Sequence, residues 1–224
     1  MAIGNFPAHS IGFDVFCKIT QHPIRFYESM KKSSAHPFFD HLNQFVTISE
    51  KEFEIIRSYF ETQNLKKKQL LMKADGPCDQ IYFVLKGCVH MYFITERGTE
   101  RTVQFALENW WITDFLAYQK QTSTHFFIQA IENTVVLSVR YGEYERLLHD
   151  FPQLERYFRI IFQIAYGSSI MKMKYLFDFS KEEIYFHFTE HFPEFAQRVP
   201  QYLIASFLGL TPEYVSEIRS KKRS

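Results

Sequence analysis

Glycine, proline and cysteine are scarce in this chain of 224 residues. Eight glycines and eight prolines exclude a collagen-like or linker-dominated protein. Three cysteines, Cys17, Cys78 and Cys88, form no CxxC pair and no even disulfide framework, so a reducing, cytoplasmic setting is expected. No run approaches the roughly 18 apolar residues a spanning helix needs, and no basic stretch followed by a long apolar one opens the chain, so neither a membrane span nor a secretory signal is read. Neither sign of charge dominates: Lys+Arg 26 against Asp+Glu 25 gives +1, so a nucleic-acid contact has to come from a local basic patch. GxSxG, P-loop and GxGxxG patterns are absent. The one HxxxH pair, His187 and His191, lacks a glutamate after its first histidine, and three thiols fall short of a four-thiolate cluster. No enzyme activity, metal or cofactor is therefore expected.

Aromatics are plentiful at 18%, with 25 Phe and 13 Tyr, and hydrophobic residues reach 46%, enough for a packed core. Residues 1–35 read as an irregular N-terminal arm, either disordered or outside the native domain. Ser49 with Glu52 three residues on forms a capping box, and Phe53, Ile56 and Phe60 recur at helical spacing, so a helix is expected to about Thr62. Short β-rich runs follow at 69–73, 81–85, 89–95, 102–107, 125–132 and 134–141, separated by Asp75-Gly76-Pro77, Lys86-Gly87, Arg97-Gly98 and Glu132-Asn133. This is the texture of an antiparallel β-roll or barrel. A short helix at 143–149 leads to a long one from Phe151-Pro152 to about Tyr175. Its residues Leu154, Phe158, Ile161, Ala165 and Ser168 follow 4-3-4-3 spacing, read as a dimerisation seam.

The segment 201–220 carries the sharpest signal. Two helices joined by a tight turn need a small residue where they approach, and Ala205 supplies it. They need a turn residue that accepts positive φ, Gly209, and shared core residues, here Ile204, Leu208, Leu210, Val215 and Ile218. Thr211 caps the second helix and Pro212 suits its first turn. That helix is expected to expose Glu213, Tyr214, Ser216, Glu217 and Arg219, followed by Lys221, Lys222 and Arg223. These side chains and Thr211 are the candidate DNA contacts. The last six residues carry a net +4, a candidate phosphate anchor.

The order of parts, with IYFVLKGCVHMYF (81–93), QAIENTVVLSV (129–139) and QYLIASFLGLTPEYVSEIRSKK (201–222), resembles the cyclic-AMP receptor protein/FNR family of bacterial transcription regulators over about residues 36–222. The Leu-Thr-Pro-Glu form, with no wing hairpin after it, is similar to the branch common in Bacteroidetes. The resemblance implies an α+β chain: a cyclic-nucleotide-binding-type, jelly-roll-like antiparallel β-roll sensing an effector at 36–150, a dimerisation helix at 151–177 and a helix-turn-helix DNA-binding domain at 178–224. It implies a homodimer, double-stranded DNA as partner and a small effector of unknown identity. Where the family places a Gly-Glu-Leu run for ribose and an Arg-Ser-Ala run for phosphate, this chain has Thr113-Asp114-Phe115 and Thr124-His125-Phe126. No arginine stands ready for a phosphate, which argues against cyclic AMP. The expected effector pocket comprises Trp110, Trp111, Thr113, Asp114, Phe115, Thr124, His125 and Phe127. A filled aromatic core with no ligand is the plain alternative at that position. A barrel binding protein or cupin-like metalloenzyme with a protein-docking helical tail is the alternative for the whole chain.

Overall fold

The computed structural model describes residues 36–223. The N-terminal arm and Cys17 lie outside the described residues, while Cys78 and Cys88 are buried free thiols.

Two helices open the fold, α1 (Pro37–Asn43) and α2 (Glu50–Ser58). His36 caps α1 through Nδ1, which accepts from the Phe38 N–H at 3.2 Å. The Ser49–Glu52 box caps α2, with the Glu52 N–H donating to Ser49 Oγ at 3.3 Å and the Ser49 N–H donating to Glu52 Oε2 at 2.8 Å. Ser49→Ala should therefore destabilise the protein by about 1 kcal/mol. An unchanged urea midpoint would refute a role for the cap. The helix stops at Ser58, short of the expected Thr62, because Glu61–Leu65 forms strand β1.

Seven more strands complete the roll: β2 (Leu70–Met72), β3 (Gln80–Lys86), β4 (Val89–Ile94), β5 (Glu100–Ala106), β6 (Trp111–Ile112), β7 (Phe127–Ala130) and β8 (Thr134–Arg140). They pair antiparallel in two four-stranded sheets, ordered β1-β8-β3-β6 and β2-β7-β4-β5. The connection from β3 to β4, which crosses from one sheet to the other, turns at Gly87, with φ of 99°. A Cβ there would meet Thr134 Oγ1 at 2.5 Å and the Asn133 carbonyl at 2.8 Å, so only glycine fits. A short helix, α3 (Phe115–Lys120), follows β6 with Asp114 as its cap, and α4 (Tyr141–Asp150) follows β8.

The core between the sheets is strongly aromatic. Phe38, Phe83, Trp111 and Phe158 contact one another in sequence, at centroid distances of 4.8, 5.1 and 5.1 Å. Phe158 belongs to α5 (Gln153–Asp178), 26 residues and about 39 Å long. Pro152 stands just before it as the N-cap residue.

Four short helices end the chain: α6 (Lys181–His191), α7 (Pro193–Arg198), α8 (Gln201–Phe207) and α9 (Pro212–Arg223). Ser180 and Glu183 form a second capping box at α6. Ile204, Ala205, Leu208, Leu210, Val215 and Ile218 are all buried in the core these helices share. Gly209, at φ 72°, makes the turn between α8 and α9. The Leu210 N–H donates back to the Ala205 carbonyl at 2.8 Å, and Thr211 Oγ1 accepts from the Tyr214 N–H at 3.2 Å. No described helix is long and apolar enough to cross a membrane.

Candidate functional site

The expected effector residues do not form one pocket. Thr113 donates to the Gln80 carbonyl at 2.9 Å, and Thr124, fully buried, donates to Asp114 Oδ2 at 2.9 Å. Asp114 Oδ1 accepts from the Ala117 N–H at 3.1 Å, so both carboxylate oxygens are committed to holding the local loop and α3. His125 points into solvent, and Phe127 stacks on Tyr92 at 5.1 Å on the β4–β7 face. Trp111 is buried in the roll core, where its Nε1–H donates to Tyr157 Oη at 2.8 Å. Tyr157 also sits 2.8 Å from His41 Nδ1. The indole can only donate, so the tyrosine hydroxyl gives its own proton to the imidazole. Burial pushes His41 down to about 4, which keeps that nitrogen free to accept.

Trp110, Trp111 and Phe115 do line a cavity, but a different one: a cleft of about 1510 Å³ between β5, α3, α5 and the C-terminal helices. Its walls are mostly apolar and rich in aromatic side chains, with Phe162, Phe188, Phe195 and Phe207 among them. Lys172 of α5 is the lysine in this wall, which also holds His41 and His187. Its Nζ donates to the Val103 carbonyl at 3.1 Å and lies 3.5 Å from the Phe207 ring centroid. Burial pushes its amine down to about 8.

The N-terminal part of the expected dimer seam is used within the chain. Leu154 and Phe158 are 1% and 3% exposed and complete the roll's own core, so they cannot face a second helix. Ile161 packs half-buried on that core, while Ala165 and Ser168 line the cleft. The 4-3-4-3 spacing marks an apolar stripe but does not say which body covers it. Another stripe of α5 is uncovered: Tyr166, Ile170, Met173 and Phe177 are 70%, 44%, 52% and 85% exposed.

On α9 the outward side chains are Glu213, Ser216, Glu217, Lys221 and Lys222, with Thr211 at the start. Arg219, expected among them, is instead half-buried and lines a depression with Tyr185, Phe186 and Gln201. It lies four residues after Val215 and one after Ile218, on the edge of the buried face. Tyr214 is half-buried against the same core. The basic tail is also partly neutralised. Lys221 pairs with Glu217 at 2.6 Å, and Lys222 pairs with Glu190 at 2.8 Å while lying 4.1 Å from the Phe186 centroid.

Two long-range contacts that no local pattern announces fasten the C-terminal helices to the roll. Arg198, at the end of α7, forms ion pairs with Glu108 at 2.9 Å and with Glu132. Burial opposes ionisation of Glu108, yet the guanidinium and the Gly87 N–H hold its carboxyl below the ordinary range. Ser206 of α8 closes the free edge of β5: its Oγ accepts from the Thr102 N–H at 2.9 Å and donates to the Glu100 carbonyl at 3.2 Å. Phe105 joins this contact, 4.9 Å from Phe195 and 5.1 Å from Phe207. Among the described residues, no group of three or more His, Cys, Asp or Glu is placed to hold a metal ion.

The chain thus combines a two-sheet roll, a long helix leaving it and a C-terminal helix-turn-helix. The family description "Cyclic nucleotide-binding domain" matches residues 62–151 of this chain. The anaerobic regulatory protein of Haemophilus influenzae is 23% identical over 186 residues, 77% of this chain and 71% of that protein. Its namesake in Pasteurella multocida is 25% identical over 113 residues, 49% of this chain and 40% of that relative's length. The structure of FixK2 from Bradyrhizobium japonicum superposes with a TM-score of 0.60 at 20% identity, over 72% of this chain and 83% of that one.

Proposed function

We propose that the chain is a DNA-binding transcription regulator. It works as a homodimer, in which the roll (36–150) responds to a small effector and α5 passes the change to the helix-turn-helix at 178–224. The observation that carries this reading is the α8–Gly209–α9 unit, with its buried Ala205 and its Thr211-capped second helix turned outward. In a two-fold dimer, two such helices standing one DNA turn apart, about 34 Å, would enter successive major grooves. Thr211, Glu213, Ser216 and Glu217 are the residues we assign to the groove, Glu217 as an acceptor for a cytosine amine. Lys221, Lys222 and Arg219 are assigned to phosphates.

The effector is proposed not to be a cyclic nucleotide. Asp114 is already committed, and His125 offers only an exposed imidazole where a buried phosphate would need a fixed cation. Arg198 and Ser206 tie α7 and α8 to the roll in this conformation. An effector that favours a state with these contacts released, or one with them kept, would move the reader helices accordingly.

The test is duplex binding as a function of salt. A steep fall in affinity with rising salt is expected, whereas a flat response would refute DNA as the partner and select the protein-docking alternative, which the outward Glu213 and Glu217 favour. Glu217→Gln should release Lys221 and remove a negative charge from the reader. Non-specific duplex affinity is then expected to rise several-fold and the salt slope to steepen by up to about one unit. Unchanged affinity in a gel-shift titration would take Glu217 out of the interface.

A further inference from the structure

We infer that the cleft between the roll and the C-terminal helices binds an apolar carboxylic acid, with its hydrocarbon body among the phenylalanines and its carboxylate on the Lys172 ammonium. This names the chemical class of the effector and so rests on the regulator reading for its consequence, although binding itself is independent of DNA.

The size and lining of the cleft set the apolar part. At about 1510 Å³ it exceeds the roughly 300–1,000 Å³ of drug-sized pockets, and its mostly apolar walls include Phe162, Phe188, Phe195 and Phe207. Lys172 sets the charged part. Its ammonium holds one carbonyl and one ring face, and no carboxylate pairs with it among the described residues. A half-buried cation satisfied by one neutral acceptor and a ring face favours an anion beside it, since the pair reduces the cost of leaving the charge unmatched. The depressed amine agrees with that lack of a counter-charge.

A monoanion is favoured over a phosphate for two reasons. The wall near Lys172 offers one amine and no arginine, whereas a phosphate dianion in so apolar a setting needs several charge-assisted donors. Ser168 and Gln104 supply neutral polar groups suited to the second carboxylate oxygen, whereas the Ser169 hydroxyl already donates to the Ala165 carbonyl. The acidic lining residue, Asp40, is next to His41, which contacts Tyr157. That part of the cleft lies about 22 Å along α5 from Lys172, so Asp40 does not oppose an anion there. The same phenylalanines that line the cleft, Phe195 and Phe207, hold Phe105 and thereby join α7 and α8 to β5, so an occupant touches the coupling between roll and reader directly.

The test compares dodecanoate with dodecan-1-ol on the full-length chain, read by the fluorescence of Trp110 in the cleft wall and by equilibrium dialysis. Dodecanoate is expected to bind at least tenfold more tightly than the alcohol. Lys172→Met should erase that difference while leaving the alcohol unchanged, and Ser169→Trp, which narrows the cleft on the turn before Lys172, should weaken both at least tenfold. Equal binding of acid and alcohol by the unaltered chain overturns the proposal without reliance on any variant. So does a preference that survives Lys172→Met. Failure of a protein that sediments as a dimer to bind either compound also overturns it, since the second copy then closes the cleft. Salt-dependent duplex binding is measured in parallel. Its loss with acid binding intact refutes the regulator reading alone, and the reverse result refutes this inference alone.

Discussion

Tyr157→Phe should lower the stability of the protein by about 2–5 kcal/mol, although it removes a single oxygen. Tyr157 is fully buried, and its ring touches Phe158 at 5.0 Å, His41 at 5.6 Å and Phe45 at 5.7 Å, contacts that phenylalanine keeps. The hydroxyl serves two otherwise isolated groups, accepting from Trp111 Nε1 and donating to His41 Nδ1, each at 2.8 Å. Without it an indole N–H and an imidazole nitrogen are buried with no partner, at about 1–3 kcal/mol each. These three residues come from α1, β6 and α5, so the site joins the helical lid, the sheet and the exit helix at one point. Urea unfolding should show a lower midpoint at an unchanged m-value. A loss under about 1 kcal/mol would mean that water or a side-chain shift satisfies both groups and that the hydroxyl is not the fastening described.

Much of this architecture is legible in the sequence, because it depends on local chemistry. The Ser49 and Ser180 capping boxes, the turn at Lys86-Gly87 and the Ala205–Gly209–Thr211 pattern are each set within a few residues, and the helices and turns stand at those places. The elements that escape notice are those whose local signal is weak. β1 reads Glu-Thr-Gln-Asn-Leu, largely polar, and becomes a strand by pairing with β8 from Glu61 opposite Ser138 to Leu65 opposite Thr134. β6 has two residues and α3 six, too few to show a period. The site is harder to read for a related reason. The contacts of Ser206 with Thr102, 104 residues away, and of Arg198 with Glu108, 90 away, leave no local trace. Lys172 does leave one. It falls on the stripe that runs from Leu154 through Ser168 to Tyr175, and a lysine on an apolar seam is a charge placed where a core or a ligand has to answer it.

Ile170→Glu should leave the fold intact and dissolve the proposed dimer. Tyr166, Ile170, Met173 and Phe177 repeat at 4-3-4 spacing, the period of a helix pairing with another helix, and all four are exposed in the single chain. Four large apolar side chains in one row on a helix are poorly tolerated by water and mark a face that seeks cover. Ile170 lies within that row. Because it is 44% exposed, a glutamate there is solvated in the monomer and has little effect on folding. In a two-fold pairing the row meets its own copy, so one substitution places two carboxylates in the interface, each without a counter-charge. Truncating a central apolar contact removes about 2–4 kcal/mol and burying an unmatched charge adds to that, so the dimer constant is expected to weaken by a factor of about 1,000 or more. Sedimentation equilibrium measures that shift directly. Duplex binding should fall with it on a site of two half-sites and change little on a single half-site, since what is lost is the joint engagement of two readers rather than either reader. If the variant stays dimeric at the concentration where the unaltered chain does, the pairing lies on another face, and the placement of the two α9 helices over successive grooves fails with it.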